Sequence, residues 1–179
     1  MKPKIAIIMG SKSDFRIMEK ATDMLDEFEI PYSVNIFSAH RTPHELDAQL
    51  DNINACDECK VIIAGAGMSA ALSGHIASKT IKPVIGVPLS GSNLDGIDAL
   101  LSTIQMPPGI PVLGVGIDAG KNAALAAISI LALFDSNIRC RLTAFRHKQS
   151  ADVIVADEQL NDRAIERLAP IKLNFKCNF

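Results

Sequence analysis

Lys60-Val61-Ile62-Ile63-Ala64-Gly65-Ala66-Gly67-Met68-Ser69-Ala70-Ala71-Leu72 decides the fold. Lys60 to Ala64 reads as a strand buried on both faces, the glycines as a turn, and Ser69 to Lys79 as a helix. The unit recurs along the chain. Apolar runs ending in Gly, Ser or Pro turns lie at Lys4 to Met9, Tyr32 to Phe37, Pro83 to Val87 and Pro111 to Ile117. Segments of helical length and period follow them at Asp14 to Phe28, Pro43 to Ala55, Leu94 to Ile104 and Gly120 to Phe134. Strand and helix alternating in this way imply a parallel sheet with right-handed crossovers and helices on both faces.

The simplest arrangement is a flavodoxin-like α/β fold, three αβα layers around a five-stranded parallel sheet of order 2-1-3-4-5. Its switch point lies between the first and third strands, and ligands of open α/β sheets sit outside the carboxyl ends there. The whole chain, 1–179, is expected to form one domain, with a sheet core at about 4–134. A polar helical extension at about 136–167 reads as two helices broken near Gln149 to Asp152, either packed on a neighbouring subunit or solvated. The same two alternatives hold for the tail from Ile171 to Phe179, with Phe175 and Phe179.

Composition narrows the function. A net charge of −2 gives no cationic face for nucleic acid. The opening of the sequence reads directly as a strand, and no apolar run approaches the roughly 20 residues of a membrane helix, so neither a leader nor a membrane span is expected and the protein is expected in the cytoplasm. Cys56 and Cys59 form a C-x-x-C, but no second pair stands at zinc spacing. Together with Cys140 and Cys177 they read as free thiols, and no metal is expected.

Three turns carry candidate chemistry. Gly10-Ser11-Lys12-Ser13-Asp14 joins the first strand to the first helix; its glycine, hydroxyls and free N–H groups suit a phosphate, or Ser13 or Asp14 simply caps the helix. Ser38-Ala39-His40-Arg41-Thr42-Pro43 delivers an acid/base and an anion clamp to a strand's end, with Thr42 expected as helix cap, Pro43 at the first helical position and Glu45 closing a capping box. An unperturbed imidazole titrates at about 6.5, so His40 can give or take a proton at neutral pH. Arg41 offers a planar fork to a phosphate. Gly65-Ala66-Gly67 either cradles a flat ring or a carboxylate or serves tight strand-to-helix packing; as a dinucleotide fingerprint it fails, because no acidic residue follows about 20 positions on. His75 lies close enough to this turn to matter or is mere packing. His44 and His147 read as surface, and Asp118-Ala119-Gly120-Lys121-Asn122 does not complete a phosphate-binding loop.

Over about residues 4 to 134 the chain resembles the PurE family, the carboxyaminoimidazole ribonucleotide mutases and carboxylases of de novo purine synthesis. The matching segments are Met9 to Asp14, Ser38 to Pro43, Ile63 to Gly67, Leu100-Leu101-Ser102, Gln105 to Pro111 and Asn122-Ala123-Ala124. The resemblance implies a homo-octamer that places a carboxyl group on C4 of an aminoimidazole ribonucleotide, with no metal, biotin or nucleoside triphosphate. It implies His40 as general acid/base and Gly10, Ser11, Ser13, Asp14 and Arg41 around the ribonucleotide, with Ser38 and Ala39 lining the site. Gly65, Ala66 and Gly67, followed by Ala71 and Leu72, would hold the base and the migrating carboxylate. Mutases of the family usually carry histidine where this chain has Ala71, whereas direct carboxylases, which use carbon dioxide, usually carry lysine where it has Arg41. The two signals point opposite ways. His75 could replace the imidazole absent at Ala71. The mutase reading leads, with direct carboxylase as the alternative and a non-catalytic nucleotide-binding module as a third.

Overall fold

The structure, a computed structural model, describes residues 2–91 and 94–168. In chain order it contains β1 (Ile5–Met9), α1 (Phe15–Glu27), β2 (Tyr32–Ile36), α2 (Pro43–Ala55), β3 (Val61–Gly67) and α3 (Ala71–Ser78). β4 (Val84–Leu89), α4 (Ile97–Ile104), β5 (Leu113–Gly114), α5 (Gly120–Leu131) and α6 (Ser136–Leu168) follow. The sheet has five parallel strands in the order β2-β1-β3-β4-β5, as the alternation predicts.

Why these strands form is visible in their burial. All of β1 and β4 and the first part of β3 are buried, which is how strands covered on both faces read as unbroken apolar runs. Ala6, Ile8, Ile62 and Ala64 pack under Leu46, Leu50 and Ile53 of α2 and Leu72 and Ile76 of α3. Ile5, Ile7 and Met9 alternate to the opposite face, the side of the paired helices α1 and α5. Register then sets the site: Ile36, Met9, Gly65 and Val87 lie side by side across the sheet. The turns leaving β1, β2, β3 and β4 therefore emerge along one edge.

Several boundaries shift, three of them for a clear physical reason. β3 continues through Gly65-Ala66-Gly67, because these residues pair with Val87, Pro88 and Leu89 instead of forming a free loop. β5 shrinks from the expected Pro111 to Ile117 to Leu113–Gly114: Pro111 has no N–H to give, and as an edge strand β5 has β4 alone to pair with. Beyond it Val115 still donates to the Gly86 carbonyl at 3.1 Å, and Asp118 to the Pro88 carbonyl at 2.9 Å. α6 runs unbroken through Gln149 to Asp152, since neither Gly nor Pro interrupts Ser136–Leu168 and Ser150 and Asp152 are tolerated in a helix.

The chain divides into two compact units, Met1–Arg139 and Cys140–Phe179. Phe175, Cys177 and Phe179 lie outside the described residues. No helix among the described residues is long and apolar enough to cross a membrane. Cys56, Cys59 and Cys140 are free thiols.

Candidate active site

A crevice of about 800 Å3 opens at the carboxyl edge of the sheet, over the ends of β1 and β3. That volume falls in the range of about 300–1,000 Å3 usual for small-molecule sites. Gly10, Ser11, Ser13 and Asp14 line it from the first turn, and Ser38, Ala39, His40 and Arg41 from the second. Ala66, Gly67, Ala71 and Leu72 close it from β3 and α3.

The first turn is held by its own side chains. Ser11 caps a short 3-10 turn, Lys12–Asp14, by accepting from the Ser13 N–H at 3.4 Å, and its hydroxyl lies 2.9 Å from that of Ser13. Ser13 in turn donates to Asp14 Oδ1 at 3.4 Å. Burial pushes the Asp14 carboxyl above its usual value, and hydrogen bonds from Ser11, Ser13 and Gly10, with the nearby charge of Arg41, oppose the rise without cancelling it.

The His-Arg turn is fastened differently from the expected capping box. Thr42 makes no side-chain cap to α2. Its Oγ1 instead accepts from the Ser38 N–H at 2.9 Å and donates to the Ser38 carbonyl at 3.2 Å, while the Thr42 N–H bonds that same carbonyl at 2.9 Å. The Arg41 N–H donates to Ser38 Oγ at 3.2 Å. These bonds close a ring around Ala39 and His40, and the His40 imidazole stands exposed in the crevice wall. Arg41 Nη2 reaches across to the Gly10 carbonyl at 3.2 Å, which ties the second turn to the first.

The third wall is mostly backbone and small side chains. Gly65 lies beneath it and does not line the crevice: a Cβ there would stand 2.5 Å from Met18 Sδ, and its carbonyl accepts from the Gly10 N–H at 3.1 Å. Its glycine thus serves packing below the site. α3 starts at Ala71 without a side-chain cap; the Ala71 N–H donates to the Ser69 carbonyl at 2.7 Å, and the N–H groups that follow it in the first turn are left for an anion. His75 also stands outside the crevice lining; its Nε2 is 2.7 Å from Asp47 Oδ1, and Lys79 reaches the other oxygen at 3.0 Å.

Met68 and Ser69, in the turn after β3, line the crevice as well. It also gains residues the sequence did not single out: Arg16 and Ile17 enter from α1, and Ser90 and Gly91 from the end of β4. Ser90 is anchored by Asp118, whose carboxylate accepts from its N–H at 2.8 Å and its hydroxyl at 2.5 Å. A signal for Ser90 existed, since it follows a strand beside the switch point. Among the described residues no group of His, Cys, Asp and Glu could hold a metal.

The family model described as AIR carboxylase matches residues 4–152. The chain is 50% identical over 158 residues to the N5-carboxyaminoimidazole ribonucleotide mutase of Methanocaldococcus jannaschii, an alignment covering 88% of this chain and 98% of that protein. With the mutase of the same name from Haemophilus influenzae it shares 49% over 153 residues, 84% of this chain and 93% of the other. The crystal structure of Treponema denticola PurE matches with a TM-score of 0.83 at 33% identity, covering 89% of this chain and 99% of that one. A match that runs through every strand of the sheet, joined to such identity with relatives of nearly equal length, leaves one assignment: the chain belongs to the AIR carboxylase family.

Proposed function

We propose that this enzyme of purine biosynthesis acts as a mutase, moving the carboxyl group of N5-carboxyaminoimidazole ribonucleotide from the exocyclic nitrogen to C4, with His40 as general acid/base. The observation that carries this reading is the fastened turn that holds His40 and Arg41 in one crevice with Asp14 and the Ser11–Ser13 hydroxyls. In the reaction the N–C bond of the carbamate breaks and the nitrogen takes up a proton. C4 then attacks the carbon dioxide released and gives its own proton up. His40 moves both protons, and the crevice supplies effective concentration. Ser11, Ser13, Asp14 and Arg41 bind the ribonucleotide. Ser38, Ala39, Ala66 and Gly67 line the site, and the uncapped start of α3, with the Leu72 N–H beside the Ala71 methyl, suits the migrating carboxylate. No cofactor takes part.

Ala71 favours a second reading, direct carboxylation of aminoimidazole ribonucleotide by carbon dioxide. Product formation from each substrate separately distinguishes them. Preference for the N-carboxylated ribonucleotide establishes the mutase, and efficient use of aminoimidazole ribonucleotide with dissolved carbon dioxide alone establishes the carboxylase. Turnover of neither leaves a nucleotide-binding module, in which His40→Asn would change nothing.

We also infer a cytoplasmic homo-octamer. Ile97, Leu101 and Ile104 recur on one side of α4 and are 43–50% exposed, with Leu113 of edge strand β5 51% exposed. Apolar residues in such a stripe suit contact with further copies of the chain, and the mass of the assembly in solution tests it.

A further inference from the structure

One crevice residue has its backbone where a long side chain is disfavoured. Met68 adopts φ 56° directly after β3, lines the crevice and leaves 65% of its surface exposed. Left-handed backbone at a residue other than glycine is uncommon, and it persists where the surrounding structure imposes it. The impositions are visible here. The Met68 carbonyl accepts from the Ala70 N–H at 2.9 Å and the Ser69 carbonyl from the Ala71 N–H at 2.7 Å. Gly67, just before, runs so close to β4 that a Cβ would stand 3.1 Å from the Leu89 carbonyl oxygen. Glycine would fit position 68 without strain, yet the chain places a thioether there. Around it the wall offers Ala66, Gly67, Ser69 and Ala71, so Met68 is the long, exposed apolar side chain on this side of the crevice.

We propose that Met68 is a specificity-determining cover: its thioether closes over the bound imidazole during transfer, keeping carbon dioxide in and water out. The proposal rests on the carboxyl-transfer reading above, whose chemistry makes a cover consequential. When the carbamate N–C bond breaks, its electron pair stays on nitrogen, which takes up a proton, and neutral carbon dioxide is left. Until C4 bonds to that carbon and releases its own proton, nothing covalent joins the two fragments. Arg41 and the serine hydroxyls can hold a phosphate, but a small neutral molecule is retained by walls. An unbranched, polarizable side chain can settle against a flat ring and swing aside for exchange.

The test uses the full chain with the N-carboxylated ribonucleotide in buffer equilibrated with carbon-13-labelled carbon dioxide, corrected for decarboxylation without protein. Two quantities are read: the ratio of free aminoimidazole ribonucleotide to C4-carboxylated product, and the label in that product. For the wild type the expected ratio is low and the product carries mostly the substrate's own carboxyl carbon. Met68→Gly is expected to raise both the ratio and the label several-fold without lowering the thermal midpoint, and Met68→Leu to restore wild-type values. Wild-type values in Met68→Gly overturn the proposal, as does a Met68→Leu protein as leaky as the glycine variant. A wild type that makes no carboxylated product from this substrate, or whose product carries mostly the label, overturns the mutase reading itself, and the cover with it.

Discussion

Replacing Thr42 by valine separates two jobs that one hydroxyl could do. Valine keeps the branched shape and removes Oγ1, which accepts from the Ser38 N–H at 2.9 Å and donates to the Ser38 carbonyl at 3.2 Å. The carbonyl retains the Thr42 N–H as donor, so the loss falls mainly on the half-buried Ser38 N–H. A neutral hydrogen bond contributes about 1 kcal/mol net, and a donor left unpaired costs about 1–3 kcal/mol, so Thr42→Val should lose about 1–3 kcal/mol. For a chain of this size that is a fall of about 2–12 °C in Tm, read by thermal unfolding. The same hydroxyl closes the ring that holds Ala39 and His40. A slackened ring is expected to lower kcat about 10- to 100-fold, the penalty that small misplacements of reacting groups carry. Thr42→Ser keeps both bonds and should retain Tm and turnover. A Thr42→Val enzyme with lowered Tm and unchanged kcat would show that the bond fastens the loop without placing the imidazole, and unchanged Tm would refute the hydrogen-bond reasoning.

Arg41→Met keeps most of the apolar stem and removes the charged fork. A hydrogen bond to a charged group is worth about 1.5–3 kcal/mol, so KM should rise about 10- to 150-fold with kcat little changed; a fall in kcat at constant KM would place Arg41 in the chemistry instead. Asp14 titrates above its usual 3.8 because of burial, so the folded chain holds that proton more tightly than the unfolded one. Its ionisation therefore takes stability away as pH rises from 3.8 through the raised value. Asp14→Asn should weaken substrate binding, and urea unfolding should find it more stable than wild type at pH 7, the gain vanishing below about pH 3. The opposite sign holds for Asp47, whose carboxyl is held low by His75 first and Lys79 second. Its contribution is present above 3.8 and lost as pH falls through the lowered value. His75→Ala should lose some of that stability at neutral pH and leave the pH profile of turnover untouched; a shifted profile would return His75 to the reaction.

The central strands were legible because β1, β4 and most of β3 are buried on both faces, so the apolar runs at Ile5–Met9, Val61–Gly65 and Val84–Leu89 carry the pattern whatever lies above them. The His-Arg turn was legible because a strand end, a proline and a helix start occupy adjacent positions. Its fastening was not, since Thr42 had two possible partners, the N–H groups of α2 and the backbone of Ser38, and local pattern cannot rank them. Gly65 showed the reverse problem. A glycine at a ligand and a glycine over Met18 look alike in sequence, and the second is what the sheet places there. Ser90 follows a strand and could have been singled out on that ground, but its anchor, Asp118, stands 28 residues away, beyond any local spacing. At Gln149 to Asp152 a polar stretch looked like a break, but helices end where capping or steric interruption stops them, and that stretch holds neither Gly nor Pro.

The crevice is built by two different means, and the difference locates its specificity. At the Gly10 and His40 turns, side chains hold one another: Ser11 with Ser13, Ser13 with Asp14, Thr42 with Ser38, and Arg41 with the Gly10 carbonyl. A substitution there propagates, because each group is also a neighbour's partner. On the β3–α3 side the shape comes from backbone fixed by sheet pairing, through Ala66 with Pro88 and Gly67 with Leu89, and the side chains of Met68, Ser69 and Ala71 are exposed rather than packed. Those positions can change without loosening the two turns that the proposed function assigns to the ribonucleotide. A family that keeps one ribonucleotide site and differs in how carbon dioxide arrives would vary on this wall, and here the chain presents a thioether in strained backbone and a methyl group at the start of a helix. On the proposed reading Arg41, bonded into the opposite turn, serves to hold the ribonucleotide and bears less on the source of the carboxyl carbon. On that reading the choice between mutase and carboxylase belongs to the wall from Met68 to Ala71.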